Sequence, residues 1–167
     1  PTKKEESQYF YVNKDIKGEP KVSAKAYIVG DLGTGEIIIA KNQNKEYPIA
    51  STSKVMTALV AREIGKEEDV GSVSKTALAT YGTNGKLQLG EKIKTLDLVY
   101  PLLLESSNDA AEVIAEHFGR KQFLAKMNQK AKNLKMENTK YEDPSGLSEN
   151  NKSTVADLFK LAGYVHQ

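Results

Sequence analysis

The sequence has no cysteine, so disulfides and thiolate metal sites are excluded, and the redox compartment stays open. Histidine is nearly absent too. Its two copies, His117 and His166, are too far apart in sequence to share a metal by any familiar spacing, which argues against a histidine zinc site. No apolar run is long enough to span a bilayer, and no signal peptide is readable at Pro1. There is no internal repeat and no low-complexity tract. Charge of one sign is also missing. Twenty-four basic residues against 22 acidic ones leave +2, so charge gives no argument for a nucleic-acid partner.

What remains is an ordinary soluble composition. The 167 residues are 39% hydrophobic and 28% charged, the size and mixture of one domain with a core. Stretches such as KEEDV at 66–70 and RKQFLAKMNQKAKNLK at 120–135 read as solvated helix faces and linkers. The polar opening, residues 1–23, reads as a lead-in, and PTKKEESQ looks like a processed or trimmed end.

From residue 24 the pattern sharpens. Two β-rich runs at 26–29 and 37–40 flank DLGTGE, whose two glycines suit a turn, so a hairpin is expected. STSKVMTALVAREIG at 51–65 has helical apolar spacing, with Ser51 placed to cap it and Gly65 to stop it. Residues 66–94 read as loops and short elements. TLDLVYPLLLE at 95–105 predicts an apolar helix capped by Thr95 and kinked at Pro101. Helices are also expected over 107–119, capped near Asn108 and ended by Gly119, over 121–135, and from 153 onward. Residues 142–152 read as a loop. The order is a strand pair and then mostly helices, an α/β (α+β) chain.

Two polar clusters in this frame carry possible chemistry. Serine holds its proton at neutral pH and needs a neighbouring base to act as a nucleophile. Ser51 and Lys54 are three apart on a helix, so they share a face. A lysine serves as a base only when neutral, and burial at a helix N-terminus favours that form. The same spacing occurs at Ser72 and Lys75, so spacing alone decides nothing. Context separates the pairs: Lys54 runs directly into VMTALVA, whereas Ser72 and Lys75 lie in a polar, glycine-flanked segment. The second cluster, Ser106, Ser107 and Asn108, is wedged between two apolar helical stretches. It serves either as a helix cap or as a hydroxyl and an amide set into a cleft.

Together, STSK at 51–54 and SSN at 106–108 resemble the first two motifs of penicillin-binding proteins and class A β-lactamases. The flanking segments AYIVGDLGTGEIIIAKN, YPIASTSKVMTALVA, KLQLGEKIKTLDLVYPLLLESSNDAAEVIAEHFG and DPSGLSENNKSTVADLFKLA are most similar to the serine D-alanyl-D-alanine carboxypeptidases. The resemblance covers residues 24–165. It implies a DD-peptidase-like fold in which the N-terminal strand pair belongs to an antiparallel sheet beside a helical subdomain, with 24–167 forming part of that domain.

Residue by residue, the resemblance implies Ser51 as the acylated nucleophile and Lys54 as its general base. Ser106 would help pass the proton to the leaving group, and Asn108 would hydrogen-bond the substrate backbone. It implies no cofactor and no metal. The expected ligands are a peptidoglycan stem peptide ending in D-Ala-D-Ala and the β-lactams that mimic it, in an extracytoplasmic bacterial setting, with no membrane anchor visible.

One part of the pattern is missing. No K-T-G or close variant follows Asn108. DPSG at 143–146 reads as a loop, and KLAG at 160–163 lies in a helix pattern. In the family that motif sits on a later strand, so the closing strands are absent as well. A fragment is expected here, with a natural pseudo-enzyme as the alternative. A second polypeptide or a strand-exchanged copy would then complete the sheet. Two other functions stay open. A serine β-lactamase would need a deacylating glutamate, for which Glu142 and Glu149 are candidates, and a non-catalytic wall-binding module would need neither.

Overall fold

The computed structural model describes residues 22–82 and 85–166. The expected lead-in, apart from Val22 and Ser23, lies outside the described residues.

The expected hairpin is present. β1 (Tyr27–Gly30) pairs antiparallel with β2 (Ile37–Lys41), from Tyr27 opposite Lys41 to Gly30 opposite Ile37, with an irregularity between Val29 and Gly30. Asp31 shapes the turn: its Oδ1 accepts from the amides of Gly33 and Thr34, both at 2.8 Å. The last helix packs on this pair so closely that a Cβ on Gly30 would come within 2.8 Å of the Phe159 ring.

After β2 the chain runs through β3 (Tyr47–Pro48) and a 3₁₀ turn (Ala50–Thr52) into α1 (Ser53–Ile64). β4 (Val70–Ser72) pairs with β5 (Lys92–Lys94) around the short α2 (Lys75–Leu78). Four helices follow: α3 (Val99–Leu104), α4 (Asn108–His117), α5 (Arg120–Asn133) and α6 (Val155–His166). Just before α6, β6 (Lys152–Ser153) returns to pair with β3, Tyr47 opposite Ser153. This two-residue pairing was not foreseen. It brings the start of the Ser51 segment beside the end of the 142–152 loop.

The core gathers on α4, where every residue from Asn108 to Ala115 is buried. Met56, Val60 and Ala61 of α1, Leu98 and Leu102 around α3, and Phe123, Met127 and Ala131 of α5 close on it, none more than 2% exposed. Burial of each large side chain contributes about 1.5–3 kcal/mol. α1 and α4, which carry the two polar clusters, are thus both set firmly into this core.

Three local expectations are corrected. Ser51 does not cap α1; it lies in the preceding 3₁₀ turn, and the N-cap position is Thr52. Thr95 caps nothing: buried beside β5, it donates its amide to the Asp69 carbonyl at 2.9 Å. The helix then starts only at Val99, which places Pro101 in its first turn. There proline removes no needed N–H and causes no kink. Gly65 and Gly119 end their helices as expected, and Gly119, at φ 79°, also opens α5.

Candidate active site

The Ser51 turn is fixed from before. Ile49 donates its amide to the Asn151 carbonyl at 3.0 Å, and Ala50 then takes a left-handed conformation, φ 44°. This bend delivers Ser51 to the surface at the head of α1, with its side chain exposed. One turn later Lys54 points inward and is 2% exposed.

The Lys54 amine meets three partners. It lies 3.1 Å from Ser51 Oγ, 2.7 Å from Asn108 Oδ1 and 2.7 Å from the Ser145 carbonyl. The last two can only accept, so they take two N–H groups. In a neutral amine the third direction, toward Ser51, is then left to the lone pair. Burial pushes the Lys54 ammonium below the ordinary lysine range, and the Asp143 charge opposes that shift. The control pair behaves differently: Ser72 and Lys75 are both exposed, on separate elements.

Asn108, at the first position of α4, is 5% exposed. Its Nδ2 donates to the Tyr81 carbonyl at 2.8 Å, which fixes the amide with Oδ1 toward Lys54. Ser107, not Asn108, caps the helix, accepting from the Ala110 amide at 3.0 Å. Ser106, at φ 57°, turns the chain between α3 and α4 and is half-buried. Among the described residues its hydroxyl makes no hydrogen bond to Ser51 or Lys54. The structure therefore joins Ser51, Lys54 and Asn108 directly, while Ser106 lies in the turn before Asn108.

The sequence reading missed the 143–151 loop as part of the site. The Asp143 carboxylate accepts from the amides of Ser145, Gly146, Leu147 and Ser148 and from the Ser145 hydroxyl. Burial alone would raise its pKa, but the donors outweigh burial and hold it below the usual carboxylate range. Asn151 is fully buried and uses its whole amide: Oδ1 accepts from the Glu142 and Asp143 amides, and Nδ2 donates to Ser53 Oγ and the Asp143 carbonyl. Thr57 donates to the Pro144 carbonyl at 2.6 Å. The available signal was the DPSG string, a typical side-chain-stabilised turn. Among the described residues no cluster of acidic or histidine side chains could hold a metal ion.

The family model described as D-alanyl-D-alanine carboxypeptidase matches residues 13–167. The chain is 36% identical over 148 residues to the D-alanyl-D-alanine endopeptidase of Escherichia coli, covering 86% of this chain and 47% of that one. It is 32% identical over 133 residues to a D-alanyl-D-alanine carboxypeptidase of Bacillus subtilis, covering 75% of this chain and 34% of that one. The crystal structure of a D-alanyl-D-alanine carboxypeptidase from Mycobacterium tuberculosis superposes with a TM-score of 0.83 at 32% identity, over 87% of this chain and 56% of that one. The chain thus spans about half the length, or less, of the curated relatives it matches. On the strength of the family model and these likenesses, the chain belongs to the D-alanyl-D-alanine carboxypeptidase family.

Proposed function

We propose that this chain carries the nucleophile half of a serine-type D-Ala-D-Ala carboxypeptidase acting on peptidoglycan stem peptides in the bacterial cell envelope. The observation that carries the reading is the buried Lys54 amine, 3.1 Å from an exposed Ser51 hydroxyl and held there by two acceptor-only oxygens. Neutral Lys54 takes the Ser51 proton as Oγ attacks the carbonyl of the penultimate D-alanine. The tetrahedral intermediate collapses, D-alanine leaves with a proton delivered through Lys54 and Ser106, and water hydrolyses the ester at Ser51. Asn108 both holds the amine and faces the substrate backbone. β-Lactams enter the same step and remain as esters of Ser51.

The Ser51 amide, at the head of the 3₁₀ turn, supplies one donor for the developing oxyanion. The second donor and the receptor for the substrate carboxylate belong in this family to the K-T-G strand. No K-T-G occurs among the 167 residues. A second chain or an exchanged copy is one source for that strand, and a longer natural chain is another.

The relatives named D-alanyl-D-alanine endopeptidase support a second reading, in which the same acyl-enzyme forms on an internal D-alanyl bond of a cross-linked peptide. The β-lactamase reading finds less support. Glu142 is engaged by Lys140 at 2.6 Å and by Asn150, and Glu149 is exposed.

The test is penicillin labelling of the whole natural protein, followed by peptide mass spectrometry. A stable adduct on Ser51, absent in Ser51→Ala, is expected. A folded protein left unlabelled would overturn the reading. Release of D-alanine from a stem pentapeptide, against cleavage of a cross-linked dimer, separates carboxypeptidase from endopeptidase. Residues 1–167 alone, with one oxyanion donor missing, should label about 10²–10³ slower.

A further inference from the structure

Three consecutive carbonyls in the 143–145 loop are each claimed by a different side chain. The Asp143 carbonyl accepts from Asn151 Nδ2 at 2.9 Å, the Pro144 carbonyl from Thr57 Oγ1 at 2.6 Å, and the Ser145 carbonyl from Lys54 Nζ at 2.7 Å. Thr57 and Lys54 are neighbours on α1, so one face of that helix grips two successive peptide units. The Asp143 side chain gathers four amides of the same loop from inside. The loop cannot shift its carbonyl row without breaking that nest.

We propose that Asp143 is a positioning residue for acylation at Ser51: by folding residues 143–148 around its carboxylate it aims the Ser145 carbonyl at Lys54, and its charge acts on the amine. Thr57 and Asn151 complete the device by fixing the two neighbouring carbonyls. This inference rests on the acyl-enzyme reading above, but it concerns a residue that touches neither substrate nor nucleophile.

The role has two separable parts. The geometric part sets where the amine sits, because Ser145 and Asn108 are its two fixed acceptors. The electrostatic part sets how readily the amine gives up its proton, since an anion nearby favours the ammonium. The charged groups around Asp143 are few. Its charge acts on Lys54 of α1 and on Arg120 of α5, which is paired with Glu112 of α4. Glu142, next in the loop, is engaged outward by Lys140.

The variants are Asp143→Asn, Asp143→Glu and Thr57→Val, made in the whole natural protein. Two readouts are taken for each: the rate of Ser51 acylation by penicillin across pH, and the pH midpoint of Lys54 labelling by an amine-reactive reagent, read by peptide mass spectrometry. Thermal melts report folding. Asp143→Asn keeps the shape, removes the charge and loses an acceptor for Ser148. It should move the Lys54 midpoint to lower pH and slow the plateau rate about tenfold or more. Asp143→Glu keeps the charge but not the reach, so it should slow acylation while leaving the midpoint nearer the parent's. Thr57→Val should slow acylation with the midpoint unchanged.

A folded Asp143→Asn protein that acylates within about twofold of the parent, with an unmoved Lys54 midpoint, overturns the proposal. Lower melting temperature with both readouts unchanged makes the role merely structural and also overturns it. If Asp143→Asn fails to fold, Thr57→Val decides: parental acylation sinks the carbonyl row, and slowed acylation upholds it. If the parent protein leaves Ser51 unlabelled, the functional reading falls, while the Lys54 labelling still decides the link to Asp143.

Discussion

Gly146 lies directly on Ala50: a Cβ added to Gly146 would stand 1.8 Å from the Ala50 carbonyl oxygen and 3.0 Å from the Ser51 amide nitrogen. Both partners are in left-handed backbone conformations, Gly146 at φ 87° and Ala50 at φ 44°. The Ser51 turn and the loop that accepts from Lys54 are thus in backbone contact.

Gly146→Ala is therefore expected to damage the site from both sides. A left-handed alanine costs about 1–2 kcal/mol, and the overlap with Ala50 forces a further shift. Ser51 labelling should slow by about a hundredfold, since an ångström of displacement has that effect on a reacting pair. Penicillin labelling and a thermal melt check it. Parental labelling would mean the turn tolerates the displacement.

Lys54→Met is expected to abolish labelling of Ser51, because no base remains. The thioether fits a buried straight-chain site. Yet the Asn108 Oδ1 and Ser145 carbonyl acceptors lose their donor, which costs about 1–3 kcal/mol. Intact-mass analysis after penicillin, with urea denaturation alongside, should show a folded, less stable and unlabelled protein.

The pH dependence follows from the depressed Lys54 pKa. Burial lowers it from the ordinary value of 10.5, against the Asp143 charge. On the acyl-enzyme reading acylation needs the neutral amine, so its rate should rise with pH, with a midpoint below the ordinary 10.5. For stability, the unfolded lysine keeps its proton to higher pH than the folded one. Between the lowered folded value and the ordinary one, the unfolded state binds more protons, so the Lys54 contribution to stability grows as pH rises through that window. Denaturation at a series of pH values, parent against Lys54→Met, should show this slope in the parent alone.

Arg120 holds Glu112 through Nε at 2.8 Å and a second guanidinium nitrogen at 3.2 Å, and Glu112 is 7% exposed. Arg120→Leu strands that carboxylate in a mostly buried site, a loss of about 1–3 kcal/mol. Adding Glu112→Gln should recover part of it. Chemical denaturation of the two variants checks this, and equal losses would show that the pairing is not the cause.

What was readable in the sequence was whatever is spoken by side-chain pattern. The hairpin showed in its alternating runs and glycines, α1 and α4 in their apolar spacing, and the Ser51, Lys54 and Asn108 cluster in two polar strings at helix heads. What could not be read was spoken by the backbone. The Ser145 and Tyr81 carbonyls fix Lys54 and Asn108, and a carbonyl belongs to every residue alike. β3 and β6 are two residues each, one of them a proline, too short for any periodicity. Thr95 looked like a cap because a threonine before an apolar run usually is one; instead it is buried and tied to Asp69 across the β4–β5 pair, and the helix begins only at Val99.

Lys54 draws its two fixed acceptors from 54 and 91 residues further along the chain. Loop closures of that span are slow compared with forming α1, which needs only its own neighbours. A growing chain therefore contains the Ser51 turn and all of α1 long before residue 145 exists to dock on them. Until then the Ser51 hydroxyl is ordinary alcohol and Lys54 an ordinary ammonium. On the acyl-enzyme reading, Ser51 gains its base only in the tertiary fold, so a chain that has not yet folded residue 145 onto α1 carries no reactive serine.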